Sequence, residues 1–261
     1  MQRSNDKLPV MKILTVSTMK GGVGKSATCH ALGEALSTDY KVLLIDIDPQ
    51  STLTLSCNAT SDNNIVDVMR ESSTLDAVTV ELTPTLSIIP SDIELATVEL
   101  ALVEVMGRES VLKRSLVKMK HQYDIVIIDT PPSLGLLTVN ALVAADGVLI
   151  PTQPQIADLR GLSLFKRTLD RVSERLNPEL EIVGVLVTMF NSRTTHHKEA
   201  IDVLKGSGLP LLDTIIGRSV RVAEASASYQ SIVTYEPNNP RASEYLQLAE
   251  HVKQWLRRKA K

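Results

Sequence analysis

Residues 18–28 read TMKGGVGKSAT, two lysines around one glycine-rich turn, and two later segments, LLIDIDPQS and DIVIIDTPPSLG, end apolar runs in carboxylates. Glycines at Gly21, Gly22 and Gly24 let backbone N–H groups converge on phosphate oxygens. A helix starting near Lys25 adds its positive N-terminal end. Lys25 then reaches the β- and γ-phosphates of a nucleoside triphosphate, and the Ser26 hydroxyl ligates Mg²⁺. The predicted cradle is Lys20, Gly21, Gly22, Val23, Gly24, Lys25, Ser26 and Ala27. Asp129 is placed to hold Mg²⁺ through a bound water, since this ion keeps several waters and takes few protein carboxylates. Asp48 is the candidate for orienting an attacking water, and Asp46 supports the metal shell or Asp48. Phosphoryl transfer needs little beyond this, because positioning and charge stabilisation carry most of it.

These side chains act together only if the chain brings them to one place. Short apolar or β-branched runs at residues 13–17, 42–45, 125–128, 147–150, 182–187 and 211–216 read as buried strands, because they are continuous and not alternating. Helical stretches at 26–37, 134–144 and 159–176 lie between them, and 95–120 is helical with a break near Gly107. Strand and helix in alternation predict crossover units and a mainly parallel twisted sheet covered on both faces, an α/β P-loop fold. The carboxylates then sit at strand ends, where open parallel sheets bind ligands. The expected organisation is a flexible tail over residues 1–11 and one domain over 12–261. The segment 241–261 predicts a terminal helix packed on the sheet through Tyr245, Leu248, Ala249, Val252, Trp255 and Leu256, with a basic end.

Composition narrows the function. With 261 residues, 43% hydrophobic, one large core is accessible. No run approaches the roughly 20 apolar residues of a membrane span, so the expectation is a cytoplasmic protein. A net charge of -2 excludes a wholesale basic coat, and 3% aromatics disfavour stacked-base binding. A local patch for nucleic-acid phosphates stays open. Cys29 and Cys57 lack metal-ligand spacing and read as packing residues.

KGGVGKS with its leading lysine, DIDPQ and DTPPSLGLLTVNAL together resemble the deviant Walker A ATPases, specifically the short ParA/Soj branch without an N-terminal helix-turn-helix. VTMFNSRTTHHKEAIDVLK and the run from TIIGRSVR to LAEHV extend the resemblance to nearly the whole chain. It implies a weak, Mg²⁺-dependent ATPase in which Lys20 reaches across a nucleotide-sandwich homodimer to the partner's ATP. It implies that Arg193, Arg218 and Arg221 contact nonspecific double-stranded DNA, that Asn191 contacts the base, and that a ParB-like partner stimulates hydrolysis. The setting would be chromosome segregation or plasmid partition, with the protein on the nucleoid.

This chain departs from the pattern in three places. Ser26-Ala27 replaces the usual Thr-Thr, Arg160 stands where relatives are often acidic, and Gly217 stands where proline is common. The alternatives are a MinD-like membrane-associated ATPase and a small-molecule ligase resembling dethiobiotin synthetase. The arginine-bearing segments and the packed tail favour DNA over membrane, and the DIDPQ and SVRVAEA matches disfavour the ligase.

Overall fold

A computed structural model of the protein describes residues 11–119 and 123–258. The strands are β1 (Lys12–Val16), β2 (Val42–Asp46), β3 (Val80–Thr83), β4 (Leu86–Ile89), β5 (Ile125–Asp129), β6 (Gly147–Thr152), β7 (Glu181–Phe190) and β8 (Leu211–Gly217). The α-helices are α1 (Lys25–Leu36), α2 (Thr52–Ser56), α3 (Ile65–Met69), α4 (Leu75–Val78), α5 (Leu95–Ala101), α6 (Val111–Lys118), α7 (Leu136–Ala144), α8 (Ile156–Arg175), α9 (Thr195–Lys205), α10 (Arg221–Ala227), α11 (Ile232–Tyr235) and α12 (Pro240–Arg258). The six expected strands are all present. The expected break at Gly107 is a left-handed residue (φ 68°) between short 3-10 turns that separate α5 from α6. The expected tail lies, but for Met11, outside the described residues.

The strands form one sheet in the order β3-β4-β2-β5-β1-β6-β7-β8. All neighbouring pairs are parallel except β3 with β4. Sequence reading missed β3, β4 and the three short helices before them. β3 alternates half-buried and exposed positions and is only four residues long, so its pattern is that of an edge and not of a buried run. The chain leaves β1 toward β2 on one side, and after β5 returns past β1 to β6 on the other. That reversal opens the crevice at the C-terminal ends of β1 and its neighbours.

Because successive strand residues face opposite sides, each strand contributes to two cores. Leu14, Val16, Val42, Leu44, Ile125 and Ile127 pack with α1 and α12 on one face. Leu43, Ile45, Val126 and Ile128 pack with α3, α6 and α7 on the other, and Phe165, Leu169 and Leu204 extend that layer over β6 and β7. Helix α1 lies tightly on β2: a Cβ on Gly33 would stand 2.9 Å from Leu44 Cδ2. The six apolar residues expected in the terminal helix are all buried, in one cluster with α1.

Leu248 is fully buried there. Leu248→Ala is expected to lower the unfolding free energy by about 2–5 kcal/mol, with the urea midpoint shifting and the slope unchanged; a loss below about 0.5 kcal/mol, as at surface sites, would show that α12 is not integral to the fold.

Candidate nucleotide site

The loop after β1 takes its shape from its glycines. Gly22 (φ 69°) and Gly24 (φ 87°) are left-handed, a region that penalises a Cβ. Gly24 caps α1 with backbone alone, its carbonyl accepting from Thr28 N at 2.9 Å, with no side-chain cap and no acidic residue in the first turn. The first N–H groups of α1 therefore face the crevice without an internal carboxylate competing for them. Two neighbouring segments hold the loop. Thr188 Oγ1 in β7 donates to Val23 O at 2.8 Å, and Gln153 Nε2, just after β6, donates to Gly22 O at 2.9 Å.

Both lysines sit on this loop, in different surroundings. Lys20 Nζ donates to Gln153 Oε1 (3.3 Å) and Gln155 Oε1 (2.9 Å) of its own chain. Any reach toward another subunit requires it to exchange these contacts. Lys25 is buried, with Nζ 3.4 Å from Lys20 O. Burial lowers its pKa, while the charges of Asp129 and Asp48 oppose that shift.

Register brings the carboxylates together. Asp46 and Asp129 are direct partners across the parallel β2–β5 pair, and Val16, the last residue of β1, pairs with Asp129 on its other side. Asp129 is fully buried, and neither carboxylate oxygen has a hydrogen-bond partner among the described residues. Its pKa is raised, first by burial and then by Asp46, against the pull of the Ser26 hydroxyl and the Lys25 charge. A buried acceptor without a donor is the group a cation and its waters would satisfy.

Asp46 is different. Its oxygens accept from Asp48 N (3.1 Å), Thr54 N (2.9 Å) and Thr54 Oγ1 (2.8 Å). Burial raises its pKa, and those donors partly offset the rise. Of the two roles expected for Asp46, its bonds fit the support of Asp48. Asp48 is 7% exposed, and its Oδ1 accepts from Gln50 N at 2.9 Å. Thr54 and Ser91, which sequence reading did not single out, complete this cluster from outside the recognised motifs.

Helix α1 carries a second polar chain beneath the loop. His30 bridges Ser56 Oγ (3.2 Å) and Glu34 Oε1 (3.2 Å), and Glu34 accepts from the Ser231 and Thr234 hydroxyls. Burial works to raise the Glu34 pKa, but the bonds from His30, Ser231 and Thr234 prevail and take it to about 2.

Arg193 and Arg218 are exposed on the turns that follow β7 and β8, strands joined by the Phe190–Gly217 pairing and by Arg218 N donating to Phe190 O at 2.9 Å. They share the sheet end that carries the loop. Arg221 is exposed but paired with Glu224 (2.6 Å) and Glu236 (3.2 Å). Asn191 is half-buried, with Oδ1 accepting from Arg193 N at 3.1 Å. His197 is half-buried, accepting from Asn191 N at 3.0 Å beside the Phe190 ring. Gly217 donates its N–H to Glu244 Oε2 at 2.9 Å, and a Cβ there would strike Arg241. Proline could satisfy neither condition.

A family model described as an AAA domain matches residues 11–182. Sporulation initiation inhibitor protein Soj of Bacillus subtilis is 40% identical over 247 residues, 92% of this chain and 98% of that one. Chromosome partitioning protein ParA of Caulobacter vibrioides is 38% identical over 250 residues, covering 93% and 94%. The structure described as cobyrinic acid a,c-diamide synthase from Mycobacterium smegmatis, with a bound ATP analog and magnesium, superposes with a TM-score of 0.83 at 34% identity, covering 94% and 96%.

The depressed Glu34 pKa means its stabilising contribution is present above the unfolded value near 4.5 and is lost as pH falls toward 2. Glu34→Gln is expected to flatten the fall of melting temperature across that window; a profile identical to that of the parent would show that the Glu34 bonds are not formed in solution.

Proposed function

The chain belongs to the ParA/Soj family of P-loop partitioning ATPases, and from that premise we propose that it hydrolyses ATP with Mg²⁺ and uses the nucleotide state to control its hold on DNA. The observation that carries the proposal is the buried, unpartnered Asp129 carboxylate beside Lys25, at the foot of a loop built to bind phosphate. ATP phosphates would lie against the N–H groups of Gly21 to Ser26, with Lys25 countering their charge. Ser26 and Asp129 would hold Mg²⁺, Asp129 through water, and the ion when bound supplies charge neutralisation of the phosphates. Asp48 orients the attacking water, and Asn191 is the proposed base contact.

Lys20 is assigned to the partner's nucleotide in an ATP-dependent homodimer, after leaving Gln153 and Gln155. The dimer doubles the basic patch around Arg193 and Arg218, converting a weak monomer site into a useful one through effective concentration. Arg221 joins it only by exchanging its carboxylate partners. Hydrolysis, stimulated by a ParB-like protein, removes the preference for the DNA-bound state. The protein would then act in the cytoplasm, on the nucleoid. Against the membrane-associated reading stands α12, whose apolar face is buried against the rest of the domain. Among the described residues, no helix is long and apolar enough to cross a membrane.

Asp48→Ala is expected to dimerise with ATP without turning it over, and Lys20→Ala to lose the productive dimer or hydrolysis; size-exclusion chromatography beside phosphate release checks both, and a monomeric Asp48→Ala with ATP contradicts the assignment.

Binding to random-sequence duplex DNA is expected with ATP and not with ADP or without nucleotide, weakening as salt rises. Arg193→Ala and Arg218→Ala should each lower the log–log salt slope by about 0.9 per lost phosphate contact, and Arg221→Ala should have the smaller effect. Binding indifferent to nucleotide, or ATP-dependent capture by anionic liposomes instead of DNA, would overturn this reading.

A further inference from the structure

Asp48 lies beyond the last residue of β2, outside the strand ladder, where nothing in a parallel sheet fixes its peptide. Two hydroxyl residues do so here. Asp48 N donates to Asp46 Oδ1 (3.1 Å), and Asp46 Oδ2 accepts from Thr54 Oγ1 (2.8 Å). The same Thr54 oxygen accepts from Ser91 N (2.8 Å), and Ser91 Oγ donates to Asp48 O (2.8 Å). The path from Asp48 through Asp46, Thr54 and Ser91 thus returns to Asp48. All four residues are at most 7% exposed, so water competes little for these bonds.

We propose that Thr54 and Ser91 are positioning residues for Asp48: they fix its backbone on both sides so that its carboxylate is held where the attacking water must be oriented. The inference rests on the reading of Asp48 given above. Thr54 suits the task because one hydroxyl both donates to Asp46 and accepts from Ser91, and β-branching restricts its rotamers. Ser91 comes from the turn after β4, separated from Asp48 by 43 positions, so the circuit ties the end of β2 to a strand that sequence reading did not recognise. Ser51, between Asp48 and α2, holds a left-handed conformation (φ 53°) and donates its N–H to Asp48 O at 2.9 Å. A turn so bent needs its surroundings to hold it.

The test is single-turnover ATP hydrolysis by the purified full chain, with affinity for a fluorescent ADP analogue and melting temperature measured alongside, for Thr54→Val, Thr54→Ser, Ser91→Ala and Asp48→Ala. Since a displacement of about 1 Å can slow catalysis by about 100-fold, Thr54→Val and Ser91→Ala are expected to slow the chemical step by at least about tenfold. ADP affinity should stay within about twofold, the signature of an interaction used only in the chemical step, and Thr54→Ser should restore the rate. Thr54→Val and Ser91→Ala hydrolysing at the parent rate overturn the inference, as does affinity falling in step with the rate or a Thr54→Ser no better than Thr54→Val. If those two are active while Asp48→Ala is inactive, only the positioning role fails. An Asp48→Ala protein that hydrolyses at the parent rate removes the reading beneath it as well.

Discussion

Two carboxylates stand side by side on adjacent parallel strands, shut away from solvent. Asp46 and Asp129 are register partners and both are fully buried, an arrangement that like-charge repulsion and desolvation both oppose. The structure resolves it asymmetrically. Asp46 is given hydrogen-bond donors from Asp48 and Thr54, whereas neither oxygen of Asp129 has a hydrogen-bond partner among the described residues. Much of the site follows from that division. The satisfied carboxylate becomes a structural post for the turn that carries Asp48, and the unsatisfied one becomes the group with capacity for a cation.

Much of this was legible in the sequence, for identifiable reasons. The loop is written in local terms, glycines followed by Lys-Ser after an apolar strand, and the central strands are buried on both faces and so read as continuous apolar runs. Asp46, Asp48 and Asp129 were found because each ends or follows such a run. What escaped has equally physical causes. Thr54 and Ser91 act through contacts between distant segments, and neither residue type is unusual in a turn. β3 and β4 are four residues each, too short for a period to declare itself. His197 gave no sign of burial, because its shelter comes from Phe190 and the turn at Asn191.

Helix α1 links these parts. Its N-terminus continues the glycine loop at the crevice, its Gly33 lies against Leu44, and its His30 and Glu34 bond to Ser56 on one side and to Ser231 and Thr234 on the other. The turn beyond α11 holds Glu236, one of the two carboxylates paired with Arg221. Helix α1 thus touches the glycine loop, the segment after Asp48 and α11. Small shifts at one end would be felt at the other, because a close-packed interior transmits displacement instead of absorbing it.

The sheet also ends in a particular way. At one margin β3 is short, antiparallel, alternately exposed and interrupted by a register shift between Glu81 and Thr83. At the other, β8 joins β7 through two further register shifts. Irregular margins are poor templates for the main-chain pairing by which exposed strands recruit one another into aggregates. With main-chain pairing discouraged at both margins, any contact between copies of the chain falls to side-chain surfaces, which can part again where paired strands would lock.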